Sequence, residues 1–190
     1  MKSAVRTVVA CLVFAAAGCA PVTLVDAGRP VDVGDGTSVT PQIAWNQIKS
    51  DGRVIWTQNG PNVDRIDFVM GVKPGAPLMA LPARSRQGVA TYEASMLPND
   101  IEDLVVGTLQ KQGYANVRAS SLAPCPLGAG QGFCFDLAFA TSDGLEMQGK
   151  VAALKRSESL DMVEFMAPSE YYYAELSPAM GRILASMARK

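Results

Sequence analysis

Phe133, Phe135, Leu137 and Phe139 alternate with Cys134, Asp136, Ala138 and Ala140, so this run carries an aromatic stripe on one face and smaller residues on the other. A period of two is a strand pattern, because successive side chains of an extended backbone point to opposite sides. Neighbouring runs behave alike. From Tyr114 onward the chain reads as four strands, near residues 115–122, 132–141, 145–155 and 160–167. Ser142-Asp143-Gly144 and Arg156-Ser157-Glu158-Ser159 supply tight turns between the later strands. Short turns join antiparallel neighbours, and the aromatic stripe is read as core that another layer must cover.

Two helices flank this meander. In residues 99–112, Ile101, Leu104, Val105 and Leu109 share one helical face. Asn99 stands where an N-cap would, Glu102 in the capping-box position, and Gly113 at the stop. Asp100, Glu102 and Asp103 are read as first-turn acids that complement the helix dipole, not as a catalytic cluster. A second helix is expected to be capped by Ser177, with Pro178 at its first position and Met180, Ile183, Leu184 and Met187 on its apolar face. Arg189 and Lys190 would then sit at its negative end. Ahead of the first helix lies a hairpin: Val54, Trp56 and Gln58 alternate with Arg53, Ile55 and Thr57, and Ile66, Phe68, Met70 and Val72 alternate with Arg65, Asp67, Val69 and Gly71. Asn59-Gly60-Pro61-Asn62 is its turn. Residues 74–86 read as an irregular connection and 91–96 as a short strand.

Strands, helix, four antiparallel strands, helix: this order predicts an α+β fold, an antiparallel β-sheet meander with two main helices packed on it. From about residue 97 to 187 the order of elements resembles the Mog1/PsbP-like α/β/α sandwich. The ending Ile183-Leu184-Ala185-Ser186-Met187 is similar to that family's final I-x-x-S-F pattern. The resemblance implies a binding or assembly factor more than a catalyst, although a fold does not fix function.

The first residues give an address. Met1 to Arg6 carries two positive charges, residues 7–17 (TVVACLVFAAA) are apolar, and Gly18-Cys19 follows at once. That layout is an export signal, and the apolar run falls short of the roughly 20 residues that span a bilayer. Ala16-Ala17-Gly18-Cys19 resembles the lipobox of bacterial lipoproteins, with alanine where leucine is commonest. The resemblance implies cleavage before Cys19 and acylation of its thiol and amine. Residues 1–18 would be the signal peptide, 19–40 a lipidated N-terminus and tether, and 41–190 a single domain. Ala20 is not the aspartate that favours inner-membrane retention, so the outer membrane, facing the periplasm, is the expected location.

Composition agrees with an exported globular domain. The apolar fraction of 48% argues against disorder across the bulk of the chain. A formal net charge of −1 repels phosphate backbones, so no nucleic-acid partner is expected. Of four cysteines, Cys11 lies in the leader and Cys19 would carry lipid. Cys125 and Cys134 remain, read as one disulfide closing a glycine-rich loop. A redox pair or half a metal site are the rival readings.

The chain contains no histidine, which removes Ser-His and Cys-His catalysis and imidazole metal sites. The glycines of residues 128–132 lead into a strand, not into the helix N-terminus a phosphate cradle needs. Asp32 and Asp35 lack the partners of a calcium loop and are read as turn residues. Neither metal nor cofactor is expected. Tyr171-Tyr172-Tyr173 is the candidate binding surface, since three consecutive aromatics cannot all face one core; the competing reading is a plug that buries two of them. Trp45 and Trp56 are read as core or edge-covering in preference to a carbohydrate platform. The expectation is a non-enzymatic outer-membrane lipoprotein that binds another envelope protein or a small ligand. A flat-surfaced structural accessory and an acid-residue hydrolase are the alternatives. Cys19→Ser should abolish incorporation of labelled palmitate, because serine cannot form the thioether; equal labelling of variant and wild type would refute the lipobox reading.

Overall fold

The aromatic stripe of the meander lies on one face of an eight-stranded antiparallel sheet, ordered β1-β4-β5-β6-β10-β9-β8-β7. The computed structural model describes residues 21–50, 53–78 and 89–189. The strands of this sheet are β1 (Val22–Val25), β4 (Trp45–Ser50), β5 (Arg53–Thr57), β6 (Arg65–Val72), β7 (Ala115–Leu127), β8 (Gly130–Ala140), β9 (Glu146–Lys155) and β10 (Leu160–Pro168). A smaller sheet holds β2 (Val31–Gly34), β3 (Thr37–Val39) and β11 (Ala188–Arg189) in the order β11-β3-β2. Helices α1 (Pro98–Lys111) and α2 (Tyr172–Ala185) complete the architecture.

Each helix covers a core of its own, on opposite faces of the sheet. Ile101, Leu104, Val105 and Leu109 of α1 pack on Phe133, Phe135, Leu137 and Phe139 of β8 and on Val151 and Met162 of the adjoining strands. Leu176, Ala179, Met180, Ile183 and Leu184 of α2 meet Trp45, Trp56, Phe68, Val163 and Phe165 on the opposite face. Trp45 and Trp56 stack at 6.4 Å within this second core. Full burial of such side chains contributes about 1.5–3 kcal/mol each. The fold is therefore α+β, as the order of elements predicts, with one helix on either side of the sheet, as the sandwich resemblance implies.

Several local expectations are corrected. The segment expected to be a tether forms β1, β2 and β3, with Val25, Val33 and Val39 buried. Its partners, β4 and β11, are remote in sequence, and short valine runs between glycines and prolines do not announce them. Residues 91–96 form no strand; Tyr92 instead exchanges backbone hydrogen bonds with Gly75 and Ala76 and buries its ring. Helix α1 begins with Pro98, and the cap is Leu97, whose backbone N–H donates to Asp100 Oδ2 at 2.8 Å, a role the sequence assigned to Asn99 and Glu102. Helix α2 starts at Tyr172, not after Ser177, and Pro178 sits inside it. Arg189 belongs to β11 and pairs with Asp35 at 2.9 Å, not with the helix end. Lys190 and residues 79–86 of the expected irregular connection lie outside the described residues.

The glycine-rich stretch is not a slack loop. It is the tip of the β7–β8 hairpin, whose ladder runs to the Leu127–Gly130 pair. Cys125 and Cys134 join diagonally across it, with Cα atoms 5.7 Å apart. Gly128 donates its N–H to Leu184 O at 2.9 Å and takes a φ of +56°. A Cβ there would lie 1.8 Å from Met187 O, so only glycine lets the tip dock on the end of α2. Closing a loop of about ten residues should stabilise the domain by roughly 2–3 kcal/mol. Reduction is thus expected to lower the melting temperature without unfolding the domain at room temperature, and mass spectrometry should find no alkylatable thiol at Cys125 or Cys134 before reductant is added.

Candidate functional site

At one end of the sheet the β5–β6 turn, the β8–β9 turn, the C-terminus of α1 and the β10–α2 connection converge. The first of these is tied by a single side chain. Buried Asp64 accepts hydrogen bonds from Thr57 Oγ1 at 3.2 Å, Gln58 N at 2.7 Å and Asn59 N at 2.9 Å, holding Asn62 and Val63 in place behind them. Ser169 fixes the β10–α2 connection by donating from N at 3.0 Å and from Oγ at 3.2 Å to Glu146 O. Between these walls runs a groove of about 640 Å³, lined by Val63, Leu145, Pro168, Tyr171 and Tyr172 among others. A second depression of about 360 Å³ shares Asn62, Val63 and Leu145 with it and reaches Arg65, Tyr114 and Met147. Volumes of several hundred Å³ suit a small ligand or a few peptide side chains.

The three tyrosines divide. Tyr171 is 66% exposed, and its hydroxyl is held by Glu175, whose charge and hydrogen bond push the phenol pKa up. Tyr172 is half-buried and meets Tyr171 edge-on at 5.2 Å. Tyr173 turns inward and stacks on Phe165 at 5.3 Å. Tyr171 is the non-helical N-cap of α2, and Tyr172 and Tyr173, its first two helical residues, point about 100° apart. Tyr173 thus packs inward, while Tyr171 and Tyr172 line the groove. Cys19 lies outside the described residues. Cys125 and Cys134 sit toward the other end of β8, away from this groove.

A cluster that periodicity did not single out lies beneath α1. Asp67 of β6 stands directly opposite Glu164 of β10, and the two are 4% and 0% exposed. Arg65 Nε meets Asp67 Oδ2 at 2.8 Å, while neither oxygen of Glu164 has a hydrogen-bond partner. Burial, reinforced by the charge of Asp67, pushes Glu164 up to about 8; Arg65 and Arg53 oppose this only in part. Burial likewise raises Asp67 against the pull of Arg65. The readable signal was an acid in the middle of the otherwise apolar run Met162 to Ala167. Neither carboxylate lines the groove. Among the described residues no group of Cys, Asp and Glu side chains could hold a metal ion.

The sequence matches no family model and no curated protein. The structure is similar to the solution structure of cyanobacterial PsbP (CyanoP) from Synechocystis sp. PCC 6803, with a TM-score of 0.57 and 10% identity over 92% of this chain and 96% of that one. It also aligns with LpqN, involved in cell envelope biogenesis of Mycobacterium tuberculosis, at a TM-score of 0.38 and 10% identity over 91% of this chain and 86% of that one. The likeness to LpqN is too loose to bear on fold or function. The first defines the class: this is a PsbP-like α+β fold.

Glu164 gives a pH prediction. Between pH ~4.5 and 8 the folded protein keeps a proton on Glu164 that the unfolded chain releases, so its contribution to stability falls as pH rises through that window and levels off above it. The slope approaches about 1.4 kcal/mol per pH unit at most. Glu164→Gln should flatten it, raising the melting temperature at pH 8 and changing it little near pH 4.5. Parallel pH profiles for variant and wild type would remove Glu164 as the source.

Proposed function

We propose that this chain is a lipid-anchored accessory protein of the bacterial envelope that acts by binding, with the groove beside Tyr171 and Tyr172 as its ligand site. The observation that carries the reading is that groove: an open apolar depression whose wall includes a tyrosine left 66% exposed at a helix start. A large aromatic ring held there by neighbours, outside either core, is suited to cover a partner's apolar surface at low entropic cost. The address rests on the leader: charged residues 1–6, apolar residues 7–17 and the lipobox-like Ala16-Ala17-Gly18-Cys19. A cystine fits an oxidising compartment outside the cytoplasm. Ala20 favours the outer membrane, with the domain facing the periplasm. A binding role is supported over hydrolysis because the facing pair of acids, Asp67 and Glu164, is sealed inside the domain, away from any substrate in the groove.

Photo-crosslinking in intact cells tests the reading. A photoreactive residue at position 171 or 172 should yield a discrete adduct with an envelope protein, or shield a co-purifying small molecule seen by native mass spectrometry. Tyr171→Ala should cost less than about 0.5 kcal/mol of stability, as exposed substitutions do, while weakening partner capture by about 2 kcal/mol. Tyr173→Ala should instead destabilise the domain, having lost its stack on Phe165. No adduct from either groove position, with capture unchanged in Tyr171→Ala, would leave the groove without a role.

A further inference from the structure

We infer that the outer face of the β1 corner rests on the lipid bilayer. In β1, Val25 points into the core beneath α2, so Val22 and Leu24 point to the other side, where they are 61% and 68% exposed. The register continues this surface inward: Val22 lies opposite Ile48, and Ile48 opposite Ile55, both only half-buried. The result is an aliphatic row across three adjacent strands, with Leu24 beside it. Helix α1 packs on the other half of this face, and no residue of β1, β4 or β5 belongs to the α1-side core. A contiguous aliphatic surface of this kind marks a contact with another apolar phase.

The length of chain before β1 selects the bilayer as that phase. This step rests on the lipid-anchored reading of Cys19. Only Ala20 and Pro21 stand between Cys19 and Val22, and three residue steps reach at most about 11 Å. The ladder to β4 fixes Val22 in the sheet, so this corner stays within that reach of Cys19. An acyl chain inserted at Cys19 therefore holds the aliphatic row within reach of the headgroup and acyl boundary, where apolar side chains are buried to a depth of ~5–10 Å. One consequence is orientation: the anchor restricts how the domain, and with it the groove, is presented to partners.

The test uses the lipidated full-length protein in phosphatidylethanolamine–phosphatidylglycerol vesicles that contain spin-labelled lipid. Val22→Cys, Thr23→Cys and Leu24→Cys are each labelled with an environment-sensitive fluorophore. These sites are exposed, so folding is not at risk, and the cystine and the acylated Cys19 leave the introduced thiol as the reactive one. Flotation with the vesicles and quenching severalfold stronger at 22 and 24 than at 23 is expected. Flotation with all three labels unquenched overturns the inference and leaves the anchor standing. Uniform quenching without alternation overturns it too, since β1 would then have unravelled into lipid. Shielding of 22 and 24 that grows with protein concentration in the absence of vesicles assigns the face to a second copy of the chain. A protein that does not float refutes the anchor and this inference with it.

Discussion

The pairing of β6 with β10 holds the two halves of this protein together. One half is the N-terminal run β1-β4-β5-β6 and the other is the meander β10-β9-β8-β7, and they share a single sheet only through this seam. Strand β10 is buried along its whole length, covered on one face by α1 and on the other by α2. Yet it carries Asp161 and Glu164, both fully buried. Buried acids are costly unless paired, hydrogen-bonded or neutralised. The seam uses different remedies for its two acids. Asp161 accepts from Gly71 N at 2.9 Å and meets Arg156 and, at 3.6 Å, Arg189. Glu164 has no hydrogen-bond partner, and burial beside Asp67 raises its pKa to about 8 against the pull of Arg65 and Arg53.

The first remedy organises the small sheet. The β6–β10 register slips between Leu160 and Met162, and Gly71, at a φ of +67°, turns its N–H toward Asp161 there. A Cβ on residue 71 would come within 2.6 Å of the Asp35 carboxyl carbon. Glycine therefore allows Asp35 to approach, and Arg189 then bridges Asp35 and Asp161. Through these contacts the turn before β3, the C-terminal strand β11 and the central seam become one charged assembly. Arg189 is thus positioned by long-range pairing and has left the helix dipole behind.

What the sequence made readable was local. The alternation in β5, β6 and β8 and the turns that bound β9 and β10 were plain, because period and turn chemistry are encoded within a few residues. The three N-terminal strands were not, because a three- or four-residue strand carries too little pattern and its partners lie elsewhere in the chain. The start of α2 was misplaced for another reason. Ser177-Pro178 has the local signature of a helix start, but Leu176, the residue just before it, packs into the core, and the helix extends back to Tyr172. Tertiary burial outweighed the local signal. That shift also separates Tyr172 from Tyr173, which become the first two residues of the helix, with Tyr171 as its cap.

The position of the groove follows from what the fold leaves uncovered. α1 and α2 occupy most of the two faces of the sheet. The edges offer little: β1 is only four residues long, and β7 breaks its ladder twice, between Ala115 and Arg118 and between Ser120 and Ala123. Asn116 and Ser121 take left-handed backbone conformations at these bulges, which bend the edge away from regular pairing. Apart from the β1 corner, this leaves the ends of the sheet, where connections can vary without disturbing either core. At the end described here, Asp64 and Ser169 stiffen two of those connections through side-chain hydrogen bonds. A rigid scaffold that presents firmly tied loops is the arrangement in which binding residues are usually found. The groove beside Tyr171 and Tyr172 lies between two such loops.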